Sequence, residues 1–337
     1  MAGKSAQQRR IERLLKKQTA DIQKAFALAM ERAASDIDRA ALLRFLELGD
    51  IERAAALFKM ERGVLFPLQN AIRDAIIGGG LAVADELPKG LSGRFGFDGN
   101  HPRAVALAEK QAAALVTNIS NEAIDASRRL ITDALSANRG LNSVARDLVG
   151  RKVGNRRFGG IIGLTKPQTE RMANIRAILS DPERIGEYFN GSGPRYKQSN
   201  RSFDSMVKQA IKDGKAINAA DVDRIAEAYK VKAMGERGKV VARNEAFIAQ
   251  AAGRDESYRQ LVESGKVETA TVRWQHNLSQ VPRPDHVEMD GTVNAVGEDF
   301  VFADGTRMSH PHDPRGGAEH SIGCRCIGVY RVKLPRD

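Results

Sequence analysis

Apolar residues recur at helical spacing from the first turns of this chain. Ile11, Leu14 and Leu15, then Ile22, Phe26 and Met30, fall three and four residues apart and line one face of a helix. Leu42, Phe45 and Leu46, then Leu57, Phe58 and Leu65, continue the pattern, so residues 1–77 read as a helical domain. Between Gly78 and Pro102 stand seven glycines and two prolines, with Phe95 and Phe97 among them. That composition opposes helix and predicts an exposed loop or linker over 78–100. Helix resumes over 101–137, with Pro102 in a first turn where its missing N–H costs least. Val116, Ile119, Ala123, Ala126 and Leu130 form a heptad-like stripe within it, expected to pack on another helix of the same chain. Further helices are predicted over 141–148, 167–179, 202–213 and 219–252, with a basic, glycine-rich interruption at 150–163.

After Gly253 the period changes. Residues 269–274, 299–302 and 322–332 carry the β-branched and aromatic content of strands, joined by turn-rich segments. The predicted fold class is therefore α-helical N-terminal and central regions with a small C-terminal α+β module. Its divisions read as a basic helical domain (1–77), the Gly-rich loop or linker (78–100), a helical segment (101–150), a further helical part (151–253) and the α+β module (254–337).

Composition narrows the function classes. At 337 residues, 42% hydrophobic and 28% charged, the chain is globular, not disordered. Its longest apolar stretch, 75–84, is interrupted by three glycines and falls short of the ~20 residues that cross a bilayer. The polar, basic N-terminus lacks the apolar core of a secretory signal, and two cysteines alone suit a reducing compartment, so the chain is expected to fold in a cytosol without membrane contact.

The formal charge of +11 is uneven. It concentrates in Lys4, Arg9, Arg10, Arg13, Lys16 and Lys17, and in Arg151, Lys152, Arg156 and Arg157. Both runs are candidates for contact with nucleic-acid phosphate or an acidic protein partner, against the plainer reading of a solvated face. Eighteen aromatics (Trp 1, Tyr 5, Phe 12) are few for gripping single strands by stacking.

Candidate chemistry lies near the C-terminus. Gly159-Gly160 to Lys166 fails the phosphate-loop pattern, because the lysine follows Thr165 where that loop needs it to precede. Asp285, Glu288, Asp290 and Asp313 read as turn and loop carboxylates, and no nucleophile elbow is present. By contrast, five of the six histidines (His276, His286, His310, His312, His320) and both cysteines fall within 276–326. Imidazoles and thiols together are the donors zinc prefers. Cys324 and Cys326, two apart on an expected strand, would share a face, with His286 and His320 completing a candidate metal set. The alternative is packing thiols with loop histidines.

The order of motifs is familiar. Arg283-Pro284-Asp285-His286, Met289-Asp290-Gly291, Phe300, Gly305, His310-Pro311-His312-Asp313-Pro314 and Gly323-Cys324-Arg325-Cys326 resemble the signature of phage head morphogenesis proteins of the phage Mu F-like family. Upstream, Leu164-Thr165 with Gln168, Arg201 to Phe203, Gly214-Lys215 and Ala242-Arg243-Asn244-Glu245 resemble its earlier motifs. The resemblance covers roughly 155–332. Asn244 stands where the family commonly has Thr, and Gly323 where Asn often precedes the first cysteine. The resemblance implies a minor head protein built in the host cytoplasm and carried in the virion, in the head or at the portal vertex. It implies contact with the portal protein and other head proteins, a part in DNA packaging or ejection, and no catalysis. The competing expectation is a metal-dependent nuclease or other DNA-processing enzyme using the His/Cys cluster.

Overall fold

A computed structural model describes residues 5–61, 63–154, 156–158, 160–190, 200–276 and 282–335; Lys4 of the basic run lies outside them. The chain begins with helices α1 (Ala6–Asp36), α2 (Arg39–Glu47), α3 (Ile51–Ala56), α4 (Phe66–Leu81), α5 (Lys89–Ser92), α6 (Pro102–Ser136) and α7 (Leu141–Val149). A hairpin of β1 (Arg151–Val153) and β2 (Arg156–Phe158) leads to α8 (Lys166–Leu179), α9 (Arg201–Lys212) and α10 (Ala219–Glu263). The C-terminal part holds β3 (Thr269–Gln275), α11 (Pro284–Glu288), β4 (Val293–Ala295), β5 (Phe300–Val301), β6 (Arg307–Met308), α12 (Gly317–Ser321) and β7 (Ile327–Lys333). The fold class read from the sequence holds: long helices first, then a small module of antiparallel strands and short helices.

Compactness divides the chain into two units that are not consecutive stretches. One comprises Met1–Ala25, Pro67–Ala114 and Lys239–Asp337, the other Phe26–Phe66 and Leu115–Gly238. Helices α1, α6 and α10 each lend one part to each unit, so the linear divisions drawn from composition do not delimit them.

In the all-but-helical second unit, local chemistry sets the element starts. Asp38 accepts from the N–H of Ala40 and Ala41 at α2, and Asp50 from that of Arg53 at α3. Gln168 reaches back to the N–H of Thr165 (3.0 Å), closing the first turn of α8, and its amide donates to the carbonyl of Ala233. Thus the Leu-Thr-x-x-Gln motif is a helix-opening device. The stripe Val116 to Leu130 is buried along α6, as an internal packing face requires.

In the first unit, the glycine-rich segment corrects the expected loop. Helix α4 runs through Gly78, Gly79 and Gly80 to Leu81. A Cβ on Gly79 would stand 2.7 Å from the carbonyl oxygen of Gln250, and one on Gly253 would stand 2.0 Å from that of Ile76. Helices α4 and α10 therefore cross backbone against backbone, and glycine is there because nothing larger fits. Gly253→Ala is expected to cost about 3 kcal/mol or more, the upper end for overpacking, since the obstacle is main chain that cannot rotate away. A denaturant melt with unchanged slope would measure it. Beyond α4, Val83, Leu87, Leu91 and Phe95 are buried in one core with Tyr258, Leu261, Val272, Trp274, Phe300, Phe302, Met308 and Tyr330. The segment 78–100 thus supplies four side chains to the C-terminal module's core and is not a linker.

That module is organised on a three-stranded antiparallel sheet in the order β4-β3-β7. Strand β3 alternates, burying Ala270, Val272 and Trp274 on the core face. Its register pairs Val272 with Tyr330 and Trp274 with Gly328. Beside it, β5 and β6 form a hairpin of two residues per strand, Phe300 opposite Met308.

Candidate metal centre

The core of the module ends in imidazoles and thiols. Helix α11 starts with Pro284, whose fixed φ suits a first turn, and presents His286 inward. The ring lies edge-on to Trp274 at 5.4 Å and tilted against Phe302 at 5.6 Å. The Arg283 guanidinium donates to the carbonyl of Ile322 (2.7 Å), tying the entry of α11 to the loop that carries both cysteines.

Strand β7 begins only at Ile327, so Cys324 and Cys326 precede it. Both turn their sulfurs to one nitrogen of His286 from an irregular segment ahead of the strand. The N–H of Cys326 donates to Sγ of Cys324 at 3.3 Å. Both sulfurs lie 3.4 Å from Nδ1 of His286. These three buried groups have their donor atoms within 4.8 Å of one another, a spacing that suits a shared metal ion.

His320 joins the set expected from sequence through His286 and stands apart from the thiols. It reaches His286 from the opposite ring edge: its Nδ1 lies 3.2 Å from Nε2 of His286 and 3.2 Å from Asp285, while its Nε2 lies 3.3 Å from Asp304. The four expected residues do converge, but as two groups sharing His286, which turns Nδ1 to the thiols and Nε2 to His320.

Two further histidines, left outside the candidate metal set drawn from sequence, are buried as well. His310 donates from Nδ1 to the carbonyl of Pro311 (2.9 Å), and His312 from Nε2 to that of Cys326 (3.0 Å). His312 is a non-glycine residue at φ +68° and packs its ring on Phe247 at 4.7 Å. Its Nδ1 has no hydrogen-bond partner among the described residues. The loop is anchored by Asp313, which accepts from the N–H and hydroxyl of Ser309 and from Arg315. Gly316 allows this turn to close: a Cβ there would meet Met308 Sδ at 2.5 Å. Among the described residues, His276, the remaining candidate, donates its backbone N–H to Asp290.

The electrostatics favour thiolate at Cys324 and a neutral ring at His312. A hydrogen bond with Cys326 holds the Cys324 thiol far below its ordinary range, helped by His286 against the upward pull of burial. Burial pushes His312 down, toward the neutral form. Burial would raise Asp313, but Arg315, His310 and the N–H groups of Ser309 and Arg315 hold its carboxyl well below the usual range.

The basic runs fall in different units. Arg9, Arg13, Lys16 and Lys17 are exposed on α1, while Arg10 donates to the carbonyl of Asp85. Arg151 and Lys152 are exposed on β1; Arg156 and Arg157 belong to β2, where Arg157 is half-buried. A groove of about 430 Å³ in the first unit is lined by Leu15, Lys16, Arg243, Phe247 and Arg325. Burial, with Arg325 nearby, lowers the Arg243 pKa. Arg243 and Arg325 belong to motifs noted for order alone; their shared groove was not legible from 82 residues' separation.

Among known proteins, one 95-residue stretch is 30% identical to the uncharacterized protein YqbB of Bacillus subtilis (strain 168). The match takes in 27% of this chain and 30% of that protein, so the chain spans under a third of its length. No protein-family model and no solved structure matches. Among the described residues, no helix is long and apolar enough to cross a membrane.

Proposed function

We propose that this chain is a bacteriophage minor head protein, incorporated during head assembly, docking at the portal vertex and serving DNA packaging or ejection without catalysing a reaction. The observation that carries the reading is the meeting of the motifs that gave the resemblance. Asn244 of Ala-Arg-Asn-Glu accepts from the N–H of Gly323, which opens Gly-Cys-Arg-Cys, at 3.1 Å across 79 residues. His286 of the Arg-Pro-Asp-His motif meets both cysteines, and His312 bonds the second of them. Motifs that act as one packed unit explain why they occur together and in order.

Within that reading the His/Cys centre holds a structural zinc. Two sulfurs at 3.4 Å from one nitrogen match the roughly 3.5 Å edges of a tetrahedron with Zn–S near 2.3 Å and Zn–N near 2.1 Å. A single nitrogen lone pair accepts one thiol proton, so packing alone accounts for one such contact better than for two. A nuclease needs an open coordination position that DNA can reach, whereas His286, Cys324 and Cys326 are only 2–5% exposed. The exposed basic residues of α1 and the Lys16–Arg243–Arg325 groove suit DNA phosphate or an acidic face of a head protein.

The direct test is incorporation. Procapsids produced from the phage genome that encodes this chain are expected to sediment with it, and the portal protein to copurify with it. Procapsids that form and sediment without it, with a portal that elutes alone, contradict the reading. Deleting residues 1–150 is not a clean probe of docking, because it also removes Val83, Leu87, Leu91 and Phe95 from the C-terminal core.

A further inference from the structure

His286 can give a metal only the ring nitrogen that carries no hydrogen. A neutral imidazole has one N–H and one lone pair, so zinc at Nδ1 requires the hydrogen on Nε2. What sets that choice lies on the side of the ring away from the thiols.

Nε2 of His286 stands 3.2 Å from Nδ1 of His320. The ring centroids are 5.4 Å apart and the ring planes 9° from parallel. The 3.2 Å gap plus the two centroid-to-nitrogen distances accounts for the whole 5.4 Å, so both nitrogens lie on the line between the centroids. The rings therefore meet head-on and nearly coplanar, the geometry of a straight N–H···N hydrogen bond. Asp285 Oδ2 is also 3.2 Å from this Nδ1, and the three residues stand close enough to share an ion. The ring directions oppose that use. Their lone-pair axes run along one line, and 3.2 Å between the nitrogens has room for a hydrogen but not for two metal–nitrogen bonds of about 2.0–2.1 Å end to end.

The next contact decides which nitrogen carries the hydrogen between the rings. On its other edge His320 points Nε2 at Oδ2 of Asp304, 3.3 Å away. A carboxylate only accepts, so the hydrogen of the neutral His320 ring is on Nε2 and its lone pair on Nδ1. That lone pair accepts from Nε2–H of His286, which leaves the lone pair of His286 on Nδ1, 3.4 Å from both sulfurs. Both supports are held in place. His320 is 4% exposed with Phe302 packed on its ring at 4.6 Å. Asp304 sits in the turn between β5 and β6, where Oδ1 accepts from the N–H of Thr306 (2.8 Å) and Oδ2 from its hydroxyl (3.0 Å).

We propose that Asp304 and His320 are positioning residues of the metal centre: two hydrogen bonds in series, His320 Nε2–H to Asp304 and His286 Nε2–H to His320, keep the hydrogen of His286 off Nδ1 and its lone pair aimed at the ion. The role rests on the reading that the centre binds zinc. A carboxylate behind a ligand histidine is a common outer support of a metal, and here a second imidazole stands between them.

Asp304→Asn tests the direction of the relay. Asparagine keeps the shape, and the N–H of Thr306 holds its oxygen in the place of Oδ1, so its NH₂ takes the place of Oδ2 and becomes a donor toward His320. His320 then carries its hydrogen on Nδ1, and that of His286 is pushed to Nδ1, against the ion. Zinc affinity of the full-length chain, measured by competition with a chromophoric chelator, is expected to fall roughly 10- to 100-fold in Asp304→Asn. Asp304→Ala removes the acceptor without reversing it and is expected to lose less. A residue serving only the turn would give the opposite order, since alanine forfeits both bonds from Thr306 and asparagine keeps the one from its N–H. Nitrogen-15 spectra of labelled histidine read the tautomer itself: hydrogen on Nε2 of His320 in the wild type at neutral pH, on Nδ1 in Asp304→Asn. A His320 tautomer that Asp304→Asn leaves unchanged, or zinc affinity lower in Asp304→Ala than in Asp304→Asn, overturns the relay while leaving the zinc reading standing. A wild type that takes up no zinc overturns the zinc reading, and the His320 spectra of the same metal-free chain then decide the relay alone.

Discussion

Replacing Cys324 by Ser is expected to unfold the C-terminal module at ambient temperature. The change removes one oxygen-for-sulfur's worth of volume and keeps a polar hydrogen, so by packing alone it costs about 1–3 kcal/mol, the range for a poorly satisfied buried polar group. As a zinc ligand it does far more. Metal binding in small structural sites contributes about 10–16 kcal/mol of apparent folding free energy. That exceeds the about 5–15 kcal/mol by which a whole domain is stable, so weakening the ion's hold removes the module's margin. The reporter is built in: Trp274 is the only tryptophan, is fully buried and lies against His286. Its emission should move to that of a solvated indole in Cys324→Ser. A variant that keeps buried Trp274 emission and loses only 1–3 kcal/mol would make the thiol a packing residue.

The second large effect is expected at Glu86→Gln. Glu86 accepts from the Arg254 guanidinium at 2.7 Å and from the Tyr258 hydroxyl at 3.0 Å, and from Gln7. Arg254, 2% exposed at its side chain, also donates to the carbonyl of Gly328 and lies 5.0 Å over the Tyr330 ring, which stacks on Tyr258. One carboxylate thus joins the segment after α4 to α10 and β7. Removing its charge leaves a buried guanidinium unpaired, at a cost of about 3–5 kcal/mol. Removing both charges is milder, because apolar replacement of a buried pair is often near neutral. Glu86→Leu with Arg254→Met should therefore recover much of the loss in a denaturant melt. Equal destabilisation of single and double variants would show that packing volume, and not the charge pair, is what the site supplies.

What was legible in the sequence follows the range of the forces involved. Helices such as α8 and α9 are set by periodicity and by caps within four residues, so their ends were readable to a residue or two. The glycines at 78–80 were misread because their reason is remote. Local propensity says loop, while the crossing of α10 at Gln250 and Gly253 requires exactly such small residues inside a helix. Val83 to Phe95 were misplaced for the same reason, since nothing nearby reveals a core that includes residues beyond 258. At the centre, residue type was enough to gather His286, His320, Cys324 and Cys326, but not to say which ring edge each would meet. His312 was visible only as one histidine among several. Its tautomer, its unmet Nδ1 and its left-handed backbone are properties of the folded loop.

The measurement that tests the account most directly is the metal content of the purified full-length chain, with Trp274 emission followed as a chelator is added. The account predicts about one zinc per chain, and a chelator-driven shift of Trp274 to solvent that added zinc reverses. A metal-free chain whose Trp274 emission and melting respond neither to chelator nor to zinc would contradict it.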